Sequence, residues 1–212
     1  MTHSFDHTEE IFSSMDFSSL KKEIFQVGRE LTYPEGTVIR PKENEILILS
    51  SGQMTTSATQ NQELVIGHTF PLMPIGLLER YFKLRIYYQA EVTTTLFQLT
   101  DEEFDRIFYR NPGHAEKLSQ LLLFLSSRLL HIYHERNNDS GYATIRQMLY
   151  RYLYKNEEGS VNNEGVASFI LKRTHLSRSY IFQILSGLKA GGYITVKNGK
   201  LTSINRDIPK RF

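Results

Sequence analysis

Leu176-Ser177-Arg178-Ser179-Tyr180-Ile181-Phe182-Gln183-Ile184-Leu185-Ser186-Gly187-Leu188-Lys189-Ala190-Gly191-Gly192 decides the fold of the last third of this 212-residue chain. Ser177 is a good helix N-cap, and the glycine pair after Ala190 supplies the stop. Between them Ile181, Ile184, Leu185 and Leu188 share one face, leaving Arg178, Ser179, Phe182, Gln183 and Ser186 on the others. Tyr193 to Val196 and Leu201 to Ile204 then flank Lys197-Asn198-Gly199-Lys200, and Asn-Gly between two β-prone runs predicts a tight hairpin. Upstream, Val166 to about Arg173 reads as a short helix. Tyr142 to Tyr154, with Ile145, Leu149 and Tyr152 at helical spacing, reads as another that ends at Glu157-Glu158-Gly159. Helix, helix, turn, helix, hairpin is the order of a winged helix-turn-helix.

Such a helix places its N-terminal side chains over base edges while its opposite face holds it on the domain. Arg178 suits guanine O6 and N7, Gln183 suits adenine, and Ser179 shares their face. Ser177 and the free amides of the first turn suit a phosphate, with Lys172, Arg173, Lys197 and Lys200 as the expected backbone contacts. Phe182 either meets a thymine methyl or folds back onto the wing as core, and the core role is expected. Charge agrees with a polyanionic partner for one half only. Residues 1–137 hold 13 Lys+Arg against 18 Asp+Glu and residues 138–212 hold 12 against 5, so the halves carry −5 and +7.

The stretch from about Glu23 to Leu99 reads as short strands, notably Ile46 to Leu49, Leu64 to Ile66 and Thr94 to Phe97. Pro34-Glu35-Gly36, Ser51-Gly52 and Gln60-Asn61 punctuate them. Close spacing without intervening helices predicts a small antiparallel barrel or roll, and Phe70 to Gly76, with two prolines, predicts a loop. Thr100 with Glu103 forms a capping box, and Asn111-Pro112 ends that short helix and opens another running to about Arg136, near Asn137-Asn138-Asp139. In the second helix Leu118, Leu122, Leu125, Leu129 and Ile132 follow a 4, 3, 4, 3 spacing. With Leu121, Phe124 and Leu130 off that seam, the helix has more apolar surface than one partner needs, and a homodimer interface on the seam is expected.

Cysteine is absent, which removes disulfides, thiolate zinc sites and thiol redox switches. No apolar run spans a bilayer and the first ten residues are polar and acidic, so a cytoplasmic location without membrane contact is expected. His68 and His114 stand alone, and His131 and His134, three apart, lack a third ligand, so neither metal nor cofactor is expected. No phosphate loop or nucleophile motif occurs, and no enzyme activity is expected. The competing reading is a protein-docking module in which the roll binds another regulator or RNA polymerase.

The stretch Leu176 to Leu185, with its Ser-Arg start, and the Gly-Gly-Tyr-Ile entry to the hairpin resemble the Crp/Fnr superfamily of transcriptional regulators. A closer likeness, to an enterobacterial branch linked to hydrogen peroxide resistance, rests on Asn137-Asn138, Lys172-Arg173-Thr174, Ser177-Arg178-Ser179 and Gly199 to Arg206. The resemblance implies an α+β chain: a cyclic-nucleotide-binding-like β-roll over residues 1–110, a dimerisation helix over 111–137 and a winged helix-turn-helix over 138–212. It implies a dimeric, sequence-specific regulator of a stress-linked regulon; operator, sign of regulation and any effector stay open. Two positions depart from the pattern. His175 stands where the turn usually carries glycine, so a positive φ is expected there. Met73-Pro74 and Tyr88-Gln89-Ala90 stand where cyclic-nucleotide binders keep a Gly-Glu pair and an Arg-Ser/Thr-Ala run, so cyclic-nucleotide binding is not expected, with Arg80 or Arg85 as the remaining candidates for an anion site.

Overall fold

The β-prone runs of the first half pair into sheets, and helices pack against one of them. The structure, a computed structural model, describes residues 4–61, 63–82, 84–136, 140–157 and 164–210. The chain divides between His131 and Ile132 into two compact units.

The N-terminal unit opens with helices α1 (Ser4–Ser14) and α2 (Ser18–Val27) and continues through β1 (Arg29–Tyr33), β2 (Val38–Ile39), β3 (Glu45–Ser51), β4 (Met54–Ser57), β5 (Val65–His68), β6 (Pro74–Ile75), α3 (Leu77–Tyr81), β7 (Tyr87–Ala90), β8 (Thr94–Thr100) and α4 (Asp101–Phe108) into the long α5 (Pro112–Arg136). Its strands form two antiparallel four-stranded sheets, ordered β1-β8-β3-β6 and β2-β7-β4-β5, which is the expected roll. Ile46, Leu47, Ile48 and Leu49 are all buried, although neighbours on a strand point to opposite faces. Both faces of β3 are therefore covered: Leu20, Ile24, Phe104, Ile107 and Phe108 of α2 and α4 share one core with residues from both sheets. That is why the run reads as continuously apolar rather than alternating.

Glu23 to Val27, read from sequence as the start of the strand region, is helical instead. Phe12, Phe17, Leu20 and Ile24 anchor the two N-terminal helices, with the Phe12 ring stacked 3.9 Å from Phe124 of α5. The segment Phe70 to Gly76, read as a loop, contributes β6. Pro74 is tolerated because β6 is an edge strand that pairs with β3 alone. Gly76 follows with φ 97°, and a Cβ there would lie 2.5 Å from the Glu45 carbonyl, so only glycine fits. The capping box forms as expected: Thr100 Oγ1 accepts from the Glu103 amide at 3.2 Å, and Glu103 Oε2 accepts from the Thr100 amide at 2.8 Å. Asn111 Oδ1 accepts from the Gly113 amide at 3.0 Å, and α5 begins at Pro112.

The expected seam on α5 straddles a boundary. Leu118 and Ile132 are buried and Leu125 is half-buried against the first core, while Leu122 and Leu129 are exposed. The apolar face left to solvent comprises Leu122, Leu123, Leu129, Leu130 and Tyr133. It is turned by roughly one residue, ~100°, from the seam inferred by spacing alone. The shift has a physical cause, because Leu118, Leu121 and Phe124 supply the contact with the core of their own unit.

The second unit contains α6 (Gly141–Glu157), α7 (Val166–Leu171), α8 (Arg178–Ala190), β9 (Ile194–Lys197) and β10 (Lys200–Ile204). Asn137-Asn138-Asp139 and Glu158-Gly159, expected as breaks, lie outside the described residues. Ile145, Leu149, Tyr152, Val166, Phe169, Ile181, Ile184, Leu188 and Leu201 fill its core. Asn198 (φ 51°) and Gly199 (φ 77°) make the tight hairpin turn, and the Gly199 carbonyl accepts from the Val166 amide at 2.8 Å, tying the wing to the start of α7. The chain end is strapped down as well. Ile208 is buried, its carbonyl accepts from Arg146 Nε at 2.9 Å, and the Pro209 carbonyl accepts from the Tyr142 hydroxyl at 2.8 Å.

Candidate nucleic-acid interface

The third helix of the C-terminal unit exposes one polar strip. Ser177 is the N-cap, its hydroxyl accepting from the Tyr180 amide at 3.3 Å. Arg178, Ser179, Phe182, Gln183, Ser186 and Lys189 are exposed, whereas Ile181, Ile184, Leu185 and Leu188 are buried. The amphipathic division therefore falls where the spacing put it. Leu188 and Lys189 carbonyls take the amides of Tyr193 and Gly192, and Gly192 (φ 72°) turns the chain into the wing.

The basic residues around this strip differ in status. Lys197 is exposed at the wing turn, opposite the half-buried Lys200. Lys172 is half-buried and reaches Glu164 Oε1 at 3.2 Å. Arg173, expected on a phosphate, is instead only 4% exposed. Its guanidinium donates to Glu164 Oε2 at 3.0 Å and to the Phe169 carbonyl at 3.2 Å, and lies 3.9 Å from the Phe169 ring centroid. An interior guanidinium held by a carboxylate braces the turn instead of standing in solvent. Tyr152 completes the brace by donating to the Glu164 carbonyl at 2.7 Å, and burial, then the charge of Glu164, raises its phenol above the ordinary range.

Two further expectations change. His175 does not adopt a positive φ. The Thr174 hydroxyl donates to the Ile170 carbonyl at 2.9 Å and accepts from the Leu176 amide at 3.4 Å, closing the turn without a left-handed residue. Phe182, expected to fold into the core, is 51% exposed on the same strip as Arg178 and Gln183. Its apolar character pointed inward; its position, one turn from Arg178 and off the Ile181/Ile184/Leu188 stripe, was the signal for exposure.

In the roll, Arg80 is unavailable to a ligand, because it is bidentate to Asp105 at 2.6 and 2.8 Å and lies 3.2 Å from Asp101. Tyr88 and Pro74 are buried. Burial raises the carboxyl of Glu79, with the charge of Arg40 partly offsetting it, and burial beside Glu79 raises the Tyr88 phenol. The interior at Tyr88 thus holds a carboxyl group, that of Glu79.

Along the chain an antiparallel roll is followed by a long helix and then by a winged helix-turn-helix whose third helix carries an exposed polar strip. The winged helix-turn-helix DNA-binding family matches residues 141–210. A stretch of the chain is 40% identical over 73 residues to the inhibitor of hydrogen peroxide resistance of Escherichia coli K12, and 38% identical over 74 residues to that of Salmonella typhimurium. The first match spans 34% of this chain and 34% of the relative, about a third of its length. Over nearly the whole chain the fold resembles a Crp/Fnr family regulator from Eubacterium rectale, with a TM-score of 0.67 and 16% identity, covering 92% of this chain and 93% of the other. It also resembles the c-di-GMP responsive global regulator CLP of Xanthomonas campestris, with a TM-score of 0.65 and 16% identity, covering 87% and 97%. Both of these structures are named as regulators. Among the described residues no helix is long and apolar enough to cross a membrane.

Proposed function

We propose that the chain is a cytoplasmic, dimeric, sequence-specific transcriptional regulator that works without a cyclic nucleotide. The observation that carries this reading is the exposure of Arg178, Ser179 and Gln183 on the first turns of a helix whose other face is core. Arg178 reads a guanine, Ser179 and Gln183 contact neighbouring bases, the first-turn amides at Ser177 take a phosphate, and Lys172, Lys197 and Lys200 supply sequence-independent affinity. The exposed apolar face of α5 supports a dimer, since Leu122, Leu123, Leu129 and Leu130 present contiguous apolar surface to solvent. Ser119 and Ser126 lie between them and donate to carbonyls of their own helix, at 3.0 and 2.8 Å, so they bring no unpaired hydroxyl to that face. The saturated Arg80 and the Glu79 carboxyl support a roll that rejects cyclic phosphates. The kinship with proteins named for peroxide resistance supports a stress-linked regulon.

Selection of duplexes from a random pool, followed by binding to selected and random DNA over a salt series, tests this function. The expected result is one recurrent motif with two half-sites and a steep fall of affinity with salt. A chain that selects no motif, or binds in a salt-independent way, is not a sequence-specific DNA reader.

A further inference from the structure

The exposure of Phe182 calls for a physical account, because a benzyl group on a soluble surface gains nothing from water. The strip around it is otherwise polar: Arg178, Ser179, Gln183, Ser186 and Lys189. The apolar side of α8 is complete without it, since Ile181, Ile184, Leu185 and Leu188 already bury against Ile145, Leu149, Phe169 and Ile194. Nor does the wing cover it, because the ring remains 51% exposed in the folded unit.

We infer that Phe182 is a specificity-determining residue that recognises the 5-methyl group of a thymine in the major groove. The inference rests on the DNA-binding reading of α8 and deepens it by naming the base. Among the major-groove edges of the four bases, thymine alone presents a methyl group, and the other features are hydrogen-bonding groups that a phenyl ring cannot satisfy. Register supports the assignment. Phe182 follows Arg178 by four residues, hence about 6 Å along the helix axis and on nearly the same face. Base pairs stack at about 3.4 Å, so the thymine lies roughly two steps from the guanine under Arg178. Ser179 and Gln183 flank the ring with short and amide side chains, leaving room for a base edge to approach it. A cytosine at the same place puts a polar amino group beside the ring and removes the methyl, so selection works by both gain and loss.

Single uracil substitutions test this directly, since uracil differs from thymine only by that methyl. In an operator selected by the full-length protein, each thymine is replaced in turn by uracil and affinity is measured by fluorescence anisotropy. One thymine per half-site, roughly two steps from the guanine that Arg178→Ala ceases to distinguish, should show about a fourfold loss, the worth of one buried methyl group. Phe182→Ser, which alters an exposed residue and should leave the fold intact by circular dichroism, is expected to bind thymine and uracil operators equally at that position. Phe182→Leu should retain part of the difference. If no thymine is sensitive to its methyl, or if Phe182→Ser keeps the sensitivity, the inference is wrong while DNA binding stands. If no duplex is selected at all, the DNA-binding reading falls and takes this inference with it.

Discussion

Glu164 holds the Arg173 guanidinium at 3.0 Å inside the C-terminal unit, and so keeps from solvent a cation that the sequence alone would assign to a phosphate. Removing one partner of a buried pair leaves the other uncompensated. Arg173→Ala should cost about 3 kcal/mol, the low end for such a change, because the remaining Glu164 is partly wet. Its effect should appear in the thermal midpoint and not in the salt dependence of DNA binding. Lys172→Ala should do the reverse, lowering the slope of log affinity against log salt by about one with little loss of stability. A reduced salt slope for folded Arg173→Ala would show that the guanidinium leaves its pocket on binding.

Arg178 and Lys200 should separate in the same way. Arg178→Ala should lose about 1–3 kcal/mol per half-site on the selected operator and much less on random DNA, flattening the preference for one guanine. Lys200→Ala should weaken both equally. Equal losses for Arg178→Ala would mean that this arginine holds only phosphate.

The dimer is expected to break from the solvent face of α5 rather than from its buried side. Leu123→Glu with Leu130→Glu should give a folded monomer by sedimentation, since both positions are 70% exposed. Leu118→Glu should instead unfold the first unit, because it places a charge in a closed core. A wild-type chain that sediments as a monomer at micromolar concentration would contradict the dimer.

Cyclic AMP and cyclic GMP should give no measurable heat on titration. A cyclic phosphate near Tyr88 would meet the Glu79 carboxyl and would not find Arg80 free. Asp101→Asn with Asp105→Asn, which releases Arg80 from its carboxylates, should not create binding either, which distinguishes a missing cation from one merely occupied.

The Arg80 pair also predicts a pH effect. The hydrogen bond from Arg80 holds the Asp105 carboxyl below its ordinary value of 3.8. A depressed carboxylate stabilises the fold above that value and loses the contribution as pH falls through its lowered one. The stability gap between wild type and Arg80→Met should therefore be constant near neutrality and close below about pH 4. Solvent around the half-exposed Asp105 keeps the gap small. A gap that widens on acidification would assign the wrong partner to Arg80.

Local rules carry the most geometric information. The Ser177 cap, the Ile181/Ile184/Leu185/Leu188 stripe and the Asn198-Gly199 turn are local rules, fixed within a few residues, and all three appear in the structure. The Thr100 capping box is of the same kind. The N-terminal helices were missed although Phe17, Leu20 and Ile24 recur at helical spacing, because β-prone sequence immediately beyond them dominated the reading. The burial of Arg173 is not legible in sequence because its partner Glu164 lies nine residues away and only the folded turn brings them together. At Phe182 composition and phase point opposite ways: the side chain is apolar, yet its position on α8 lies off the buried stripe. On α5 the spacing gave the right kind of surface, but which side of an apolar helix its own unit claims depends on contacts from Phe12 and Phe70 that no helical period contains.

The strap formed by Ile208 and Pro209 gives the gene an unexpected point of fragility. A nonsense mutation at Asp207 would spare every residue assigned here to bases, phosphates or the dimer face. It would nonetheless delete the acceptors for Tyr142 and Arg146 and uncover the core that Ile208 closes. Such an allele should behave as a null through loss of folded protein, detectable as reduced abundance in the cell, although its DNA-reading surface is encoded intact.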